Sequence, residues 1–157
     1  MLKIYALLPI AGLLIFPEKV NADSSTVDLK CSGVLSHSEN IKDEVYHAKM
    51  QVTIIFMQNK TGHVTLRGRI SSFETIYTIS RAIHFTYQNN SNAFGIYNMN
   101  FTSIDKAGID NVPDTIFNKQ MSLFSFNKSK IVQINTLPNE NLLISSAFSP
   151  LFICVPQ

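Results

Sequence analysis

An all-β, mainly antiparallel domain of about eight strands, closed into a small barrel or sandwich, is the fold this sequence predicts. Three observations predict it. Runs with apolar residues at every second position follow one another through most of the chain, the period of a half-buried strand. Turn chemistry separates them at short intervals, as in "NKTG" (Asn59–Gly62), "NNSN" (89–92) and "LPNEN" (Leu137–Asn141), the residues that turns favour. Two cysteines, Cys31 and Cys154, fall in the first and last of these runs, where a bridge ties the ends of the sheet together.

The strands are expected in this order. Thr26–Ser36 carries Cys31. Val45–Gln58 alternates Met50, Val52, Ile54 and Phe56. Gly62 is free to take positive φ in the turn that follows. His63–Ser71 puts Val64, Leu66 and Ile70 on one face, with Gly68 marking a bulge or a close approach. Thr75–Gln88 and Ala93–Ile104 follow, the latter with Tyr97, Met99 and Phe101 on one face. The alternation then stops. "DKAGIDNVPDTIFNKQ" (Asp105–Gln120) reads as a loop with one short helix near 111–120, capped by Asp110 or Asn111 with Pro113 in its first turn. Strands resume at Ser122–Phe126, Lys130–Leu137, Leu142–Ala147 and Leu151–Val155.

Residues 1–22 read as a signal peptide or a signal anchor, and residues 23–157 as one domain. Lys3 precedes an uncharged, mostly apolar stretch from Ile4 to Phe16, and "VNA" (Val20–Ala22) offers small residues for cleavage. The stretch is short for a membrane span, which needs roughly 20 apolar residues. The whole chain carries a formal net charge of +2. Such a balance steers neither nucleic acid nor an anionic surface, so no direct nucleic-acid binding is expected. Arg67 and Arg69 share one strand face and read as solvated. In an exported chain a cysteine pair reads as a disulfide, with two free buried thiols as the alternative.

The motifs of chemistry are missing. No glycine-rich phosphate loop, H-E-x-x-H or G-x-S-x-G is present. His37, His47, His63 and His84 are scattered without ligand spacing. Two cysteines without a C-x-x-C make neither a zinc site nor a redox site. No enzyme, metal or cofactor is expected. Four N-x-[ST] triplets begin at Asn59, Asn89, Asn100 and Asn127, three of them at or beside expected turns.

One residue breaks the pattern. The inward face of Thr75–Gln88 reads Tyr77, Ile79, Arg81, Ile83, Phe85 and Tyr87. A cation on an apolar face needs a partner, because burying it alone is prohibitive. Three partners are open to Arg81. The first is an internal carboxylate, Asp110 or Asp114, pinning the irregular segment across one barrel end. The second is stacking on Tyr77 or Tyr97. The third is the acidic head of a ligand, or a carboxylate of a partner. Tyr77, Ile79, Ile83, Phe85, Tyr97 and Met99 are the candidate lumen-lining residues.

Five stretches together resemble the FidL-like family and its relatives MyfF and PsaF: "LKCSGVL" (Leu29–Leu35), "GHVTLRGRI" (Gly62–Ile70), "ISRAIHFTY" (Ile79–Tyr87), "DNVPD" (Asp110–Asp114) and "LLISSAFSPLFICV" (Leu142–Val155). The resemblance implies a lipocalin-like barrel in the periplasm, or on the periplasmic side of the inner membrane. It implies a non-enzymatic accessory regulator of virulence or fimbrial genes. Such a protein binds and stabilises the periplasmic domain of a ToxR-like transmembrane transcription factor as a heterodimer, and relays a signal such as acidity or a bile-like ligand. A stand-alone exported binding protein for a small amphipathic ligand is the alternative.

Overall fold

The computed structural model describes residues 27–41, 44–72, 74–90, 95–124, 126 and 129–157. The expected signal segment, Thr26, and parts of the turns at 89–92 and 127–129 lie outside the described residues. The elements are β1 (Leu29–Ile41), β2 (Glu44–Phe56), β3 (Thr61–Ser72), β4 (Thr75–Asn89), β5 (Ile96–Lys106), α1 (Asp114–Gln120), a 3-10 turn (Ser122–Phe124), β6 (Lys130–Thr136), β7 (Leu142–Ser146) and β8 (Pro150–Pro156). The eight strands form a closed antiparallel barrel in sequence order.

Alternation fills the inside. In β2, Met50, Val52, Ile54 and Phe56 are buried, and in β4 Ile79, Arg81, Ile83, Phe85 and Tyr87 are. Phe56 sits at the centre of an aromatic cluster, its ring 5.2 Å from Phe85, 5.0 Å from Tyr87 and 5.5 Å from Tyr97. The Tyr87 hydroxyl meets main chain on two segments: it lies 2.8 Å from the Met57 carbonyl and 3.1 Å from the Val27 carbonyl, either of which can take its one proton, and it accepts from the Val27 N–H at 3.1 Å. A buried phenol is satisfied in this way.

The barrel is not uniform around its girth. β1 pairs with β2 along its whole length, from Leu29↔Phe56 to Ile41↔Glu44. Against β8 it pairs only from Cys31↔Pro156 to Gly33↔Cys154. At Gly33 the β8 main chain passes so close that a Cβ would collide with the Ile153 carbonyl and come within 2.8 Å of the Phe152 ring. The disulfide Cys31–Cys154, with Cα atoms 5.4 Å apart, crosses this short seam. β5 meets β6 only over Ile96–Met99. Five long strands thus outrun three short ones, and residues 107–124 span the opening.

Several expectations change. The Ser122–Phe126 strand is replaced by the 3-10 turn. Phe117, Gln120, Met121 and Phe124 are all buried, and this i, i+3, i+4, i+7 spacing is helical. Gln120 hid the pattern because it is polar. The helix starts at Asp114 with Pro113 as its N-cap and no side-chain cap, because Asp110 and Asn111 are used elsewhere. Positive φ in the β2–β3 turn falls on Lys60, not Gly62. Gly68 marks a close approach: a Cβ there would meet the Lys49 carbonyl, and the β2–β3 register runs through without a shift. β1 extends past Ser36 to Ile41.

Candidate functional site

The irregular segment is fixed to the barrel at Arg81. β4 and β5 pair only as far as Arg81↔Lys106. Beyond that point the β4 edge is bare of strand, and residues 107–111 substitute for one. The Ala107 N–H donates to the Ser80 carbonyl at 3.0 Å and the Asn111 N–H to the Thr78 carbonyl at 3.1 Å. The Asn111 side-chain oxygen accepts from the Thr78 N–H at 2.7 Å, and the Asp110 carboxylate from the Ser80 N–H at 2.9 Å. Two side chains therefore play the part of a neighbouring main chain.

Arg81 is 3% exposed. Its Nε donates to Asp110 Oδ2 at 3.0 Å, and its Nη2 donates to Asp110 Oδ1 at 3.2 Å and to the Val112 carbonyl at 2.7 Å. Its Nη1 lies 3.1 Å from Asp114 Oδ1. The guanidinium also stands over the Phe117 ring, 4.1 Å from its centroid, a stacked cation–π geometry. Stacking is therefore on Phe117 of α1, not on Tyr77 or Tyr97. Both carboxylates and the ring come from residues 110–117, so one cation docks the whole helix. Lys106 adds a second, more exposed charge, 3.3 Å from Asp114 and 3.9 Å from Asp110.

Burial opposes the charge on Asp110, whose side chain is fully enclosed. The hydrogen bond and charge of Arg81, with the N–H groups of Ser80 and Val112, outweigh it and hold the carboxyl below its ordinary range. Asp114 is also lowered, first by the hydrogen bond and charge of Lys106 and then by Arg81. All three Arg81 nitrogens have protein partners. The arrangement is a clamp, in which each guanidinium nitrogen meets a protein oxygen.

Of the candidate lumen residues, Ile79, Ile83, Phe85, Tyr97 and Met99 are buried in the core and Tyr77 packs half-buried at its edge. The cysteines are joined. His63 and His84 face each other across β3 and β4, ring centroids 5.9 Å apart, and His84 Nε2 lies 2.9 Å from Asp105 Oδ2. Their separation in sequence hid this pairing. Among the described residues no group of three or more His, Cys, Asp or Glu is arranged to hold a metal.

The other face of the clamped segment borders the seam. Past Gly33, residues Val34–Asn40 have no strand partner on the β8 side among the described residues. Between this edge and the α1–3-10 segment runs a groove of about 280 Å³. Leu35, Leu123 and Phe124 give it apolar walls, and His37, Glu39 and Lys119 line it as well. Gln120 also lines it.

The profile of the FidL-like putative membrane protein family matches residues 68–154, more than half of the chain. The chain belongs to this family. The matched span holds Arg81, Asp110, Asp114, Gln120 and Cys154, and so covers the clamp and one wall of the groove. No similar curated protein is found. Among the described residues no helix is long and apolar enough to cross a membrane.

Proposed function

We propose that this FidL-like protein is a non-enzymatic accessory regulator. In this reading it sits in the periplasm, or on the periplasmic side of the inner membrane. There it binds and stabilises the periplasmic domain of a ToxR-like membrane-bound transcriptional activator and passes on an environmental signal. The observation that carries the reading is the edge of β1 at Val34–Asn40, which has no strand partner on the β8 side among the described residues. A row of unpaired main-chain groups in an otherwise closed barrel is a template for another chain. Membership of a family described as membrane proteins supports it. The filled interior supports a protein partner over a lumenal carrier role, since Ile83 and Phe85 pack into the same core as Phe56 and Met99.

The test is binding. The periplasmic domain of a ToxR-like membrane regulator is purified and titrated against residues 23–157. A one-to-one complex, together with slower proteolysis of the regulator's domain, is the expected result. No complex at concentrations up to the hundred-micromolar range removes the reading.

A further inference from the structure

The formal net charge of +2 averages over a sorted distribution. The outward positions of β1, β2 and β3, which alternate with the buried ones, hold Lys30, Lys49, Arg67 and Arg69 and no aspartate or glutamate. Asp105, Asp110 and Asp114 lie beyond β4, and Asp28, one residue before β1, accepts a hydrogen bond from Gln58. Lys49 and Arg69 are direct cross-strand partners, and Arg67 is the next outward residue of β3, opposite Gln51. All four cations are exposed, and none makes an ion pair among the described residues. Like charges side by side on a sheet are unfavourable until a counter-charge meets them.

Between Lys30 and Arg67 the face is hollowed by about 240 Å³, and Gln51, Thr53, Thr65 and Gln157 line the hollow with further polar groups. Beside it the outward side chains turn apolar. Val155 pairs with Ser32 across the seam, and Val34, Ile153 and Val155 are each more than half exposed.

We infer that the outer face of β8, β1, β2 and β3 lies on an anionic phospholipid surface, with Lys30 and Arg67 taking a headgroup phosphate in the hollow between them. The inference stands apart from the regulatory reading. Two chemistries on one face select the occupant. Cations with no carboxylate among them match an extended anionic partner. Exposed aliphatic side chains next to them match an apolar layer directly behind that charge. A bilayer containing acidic lipids supplies both, phosphate at its surface and acyl chains below. A free anion fills the hollow but leaves Lys49, Arg69 and the aliphatic row unmet. Membership of a family described as membrane proteins agrees with this choice. The apolar stretch from Ile4 to Phe16 is separated from β1 by residues 17–28 alone, so a chain that keeps it holds this face near the bilayer.

The experiment uses residues 23–157, which hold the whole closed barrel and lack the apolar stretch, so any binding belongs to the barrel. The protein is sedimented with vesicles of phosphatidylcholine, with or without one third phosphatidylglycerol. The wild type is expected to sediment with the acidic vesicles alone, and to be released by about 0.5 M salt, where screening shortens to about 4 Å. Arg67→Gln/Arg69→Gln is expected to bind about 20- to 30-fold more weakly, about fivefold for each cation, at an unchanged melting temperature. Lys119→Gln/Lys130→Gln removes the same charge from α1 and β6 and is expected to bind like the wild type. The chain has no tryptophan, so a single one reports its own surroundings. The emission of Val155→Trp is expected to shift to the blue on acidic vesicles, and that of Thr102→Trp, on the opposite strand β5, to stay.

Five results overturn the inference. No sedimentation with acidic vesicles, or equal sedimentation with neutral ones, removes the anionic surface. Equal losses in Arg67→Gln/Arg69→Gln and Lys119→Gln/Lys130→Gln make net charge, and not this face, the cause. Release by millimolar inorganic phosphate, but not by chloride at the same ionic strength, assigns the hollow to a soluble phosphate compound. Binding of a ToxR-like periplasmic domain that is lost in Arg67→Gln/Arg69→Gln, without binding to vesicles, assigns the face to an acidic protein. If the double arginine variant does not fold, the tryptophan pair decides, and equal shifts or an unshifted Val155→Trp reject the orientation.

Discussion

Residues 107–124 meet the barrel on two sides, and the two contacts are built on opposite plans. Toward β4 the polar groups of Asp110, Asn111 and Arg81 meet partners. Asp110 accepts from Arg81, Ser80 and Val112, Asn111 bonds Thr78 through both main chain and side chain, and Phe117 covers the guanidinium. Toward β1 a cation–π contact of Lys119 with Tyr46 on β2, at 5.1 Å, is the charged tether, and the Gln120 amide is unpaired. The first side fixes a position. The second leaves the enclosed Gln120 amide without a hydrogen-bond partner. Structural sites and docking sites separate on this criterion, because a satisfied network has nothing left to offer a partner.

The comparison can be broken from its strongest points downward. The seam depends on one covalent link. Cys31→Ser or Cys154→Ser releases a loop with a sequence separation of 123. Chain entropy makes this a loss of roughly 4–5 kcal/mol. Denaturant titration with and without reductant measures it, and limited proteolysis is expected to cut the seam first. Stability unchanged by the loss of the bridge removes the staple role.

Next in size is the clamp. Arg81→Met leaves Asp110 buried without its counter-charge, and losses of about 3–5 kcal/mol follow from breaking such pairs. The double variant Arg81→Met/Asp110→Leu is expected to recover part of this, because no orphan charge remains. Arg81→Lys keeps the charge, loses the two-pronged contact with Asp110, and falls between. If Arg81→Met melts like the wild type, α1 is not held by this cation.

Acid probes the clamp without mutation. The folded-state carboxyl of Asp110 is lowered. As pH falls below about 4, the unfolded chain takes up this proton first. The clamp's contribution is therefore full above that pH and declines as pH drops through the folded value. Unfolding midpoints between pH 6 and pH 3 are expected to show a steep acid limb that is shallower in the Arg81→Met/Asp110→Leu variant. His63, lowered first by burial and then by the charge of His84, adds a smaller fall through about pH 6.5, where the unfolded imidazole protonates first. His63→Gln is expected to remove that step.

The smallest effect is expected at the outer charges. Asp114 and Lys106 are well exposed, and solvent screens such pairs. Asp114→Asn is expected to leave the melting temperature almost unchanged. A large drop there would move the weight of the clamp outward from Asp110.

Alternation along β2 and β4, turn residues between strands and one cysteine at each end determine a small antiparallel β-domain, barrel or sandwich, by themselves, because these signals are local or have only one possible pair; closure into a barrel is decided by the tertiary structure. The misplacement of Arg81 on an apolar face was equally legible, and so was the short list of carboxylates able to meet it. The choice of Asp110 together with Asp114, with Phe117 above, was not legible, because it depends on how residues 107–117 turn along the β4 edge. The Ser122–Phe126 stretch shows the same limit: without knowing that Gln120 is buried, its helical spacing is invisible. Nor does periodicity reveal the free edge at Val34–Asn40. Two long-range distances create it, the point where β8 leaves β1 and the reach of the segment that spans the opening. An unpaired edge or an orphaned amide is defined by what is not beside it, and only the tertiary structure decides that.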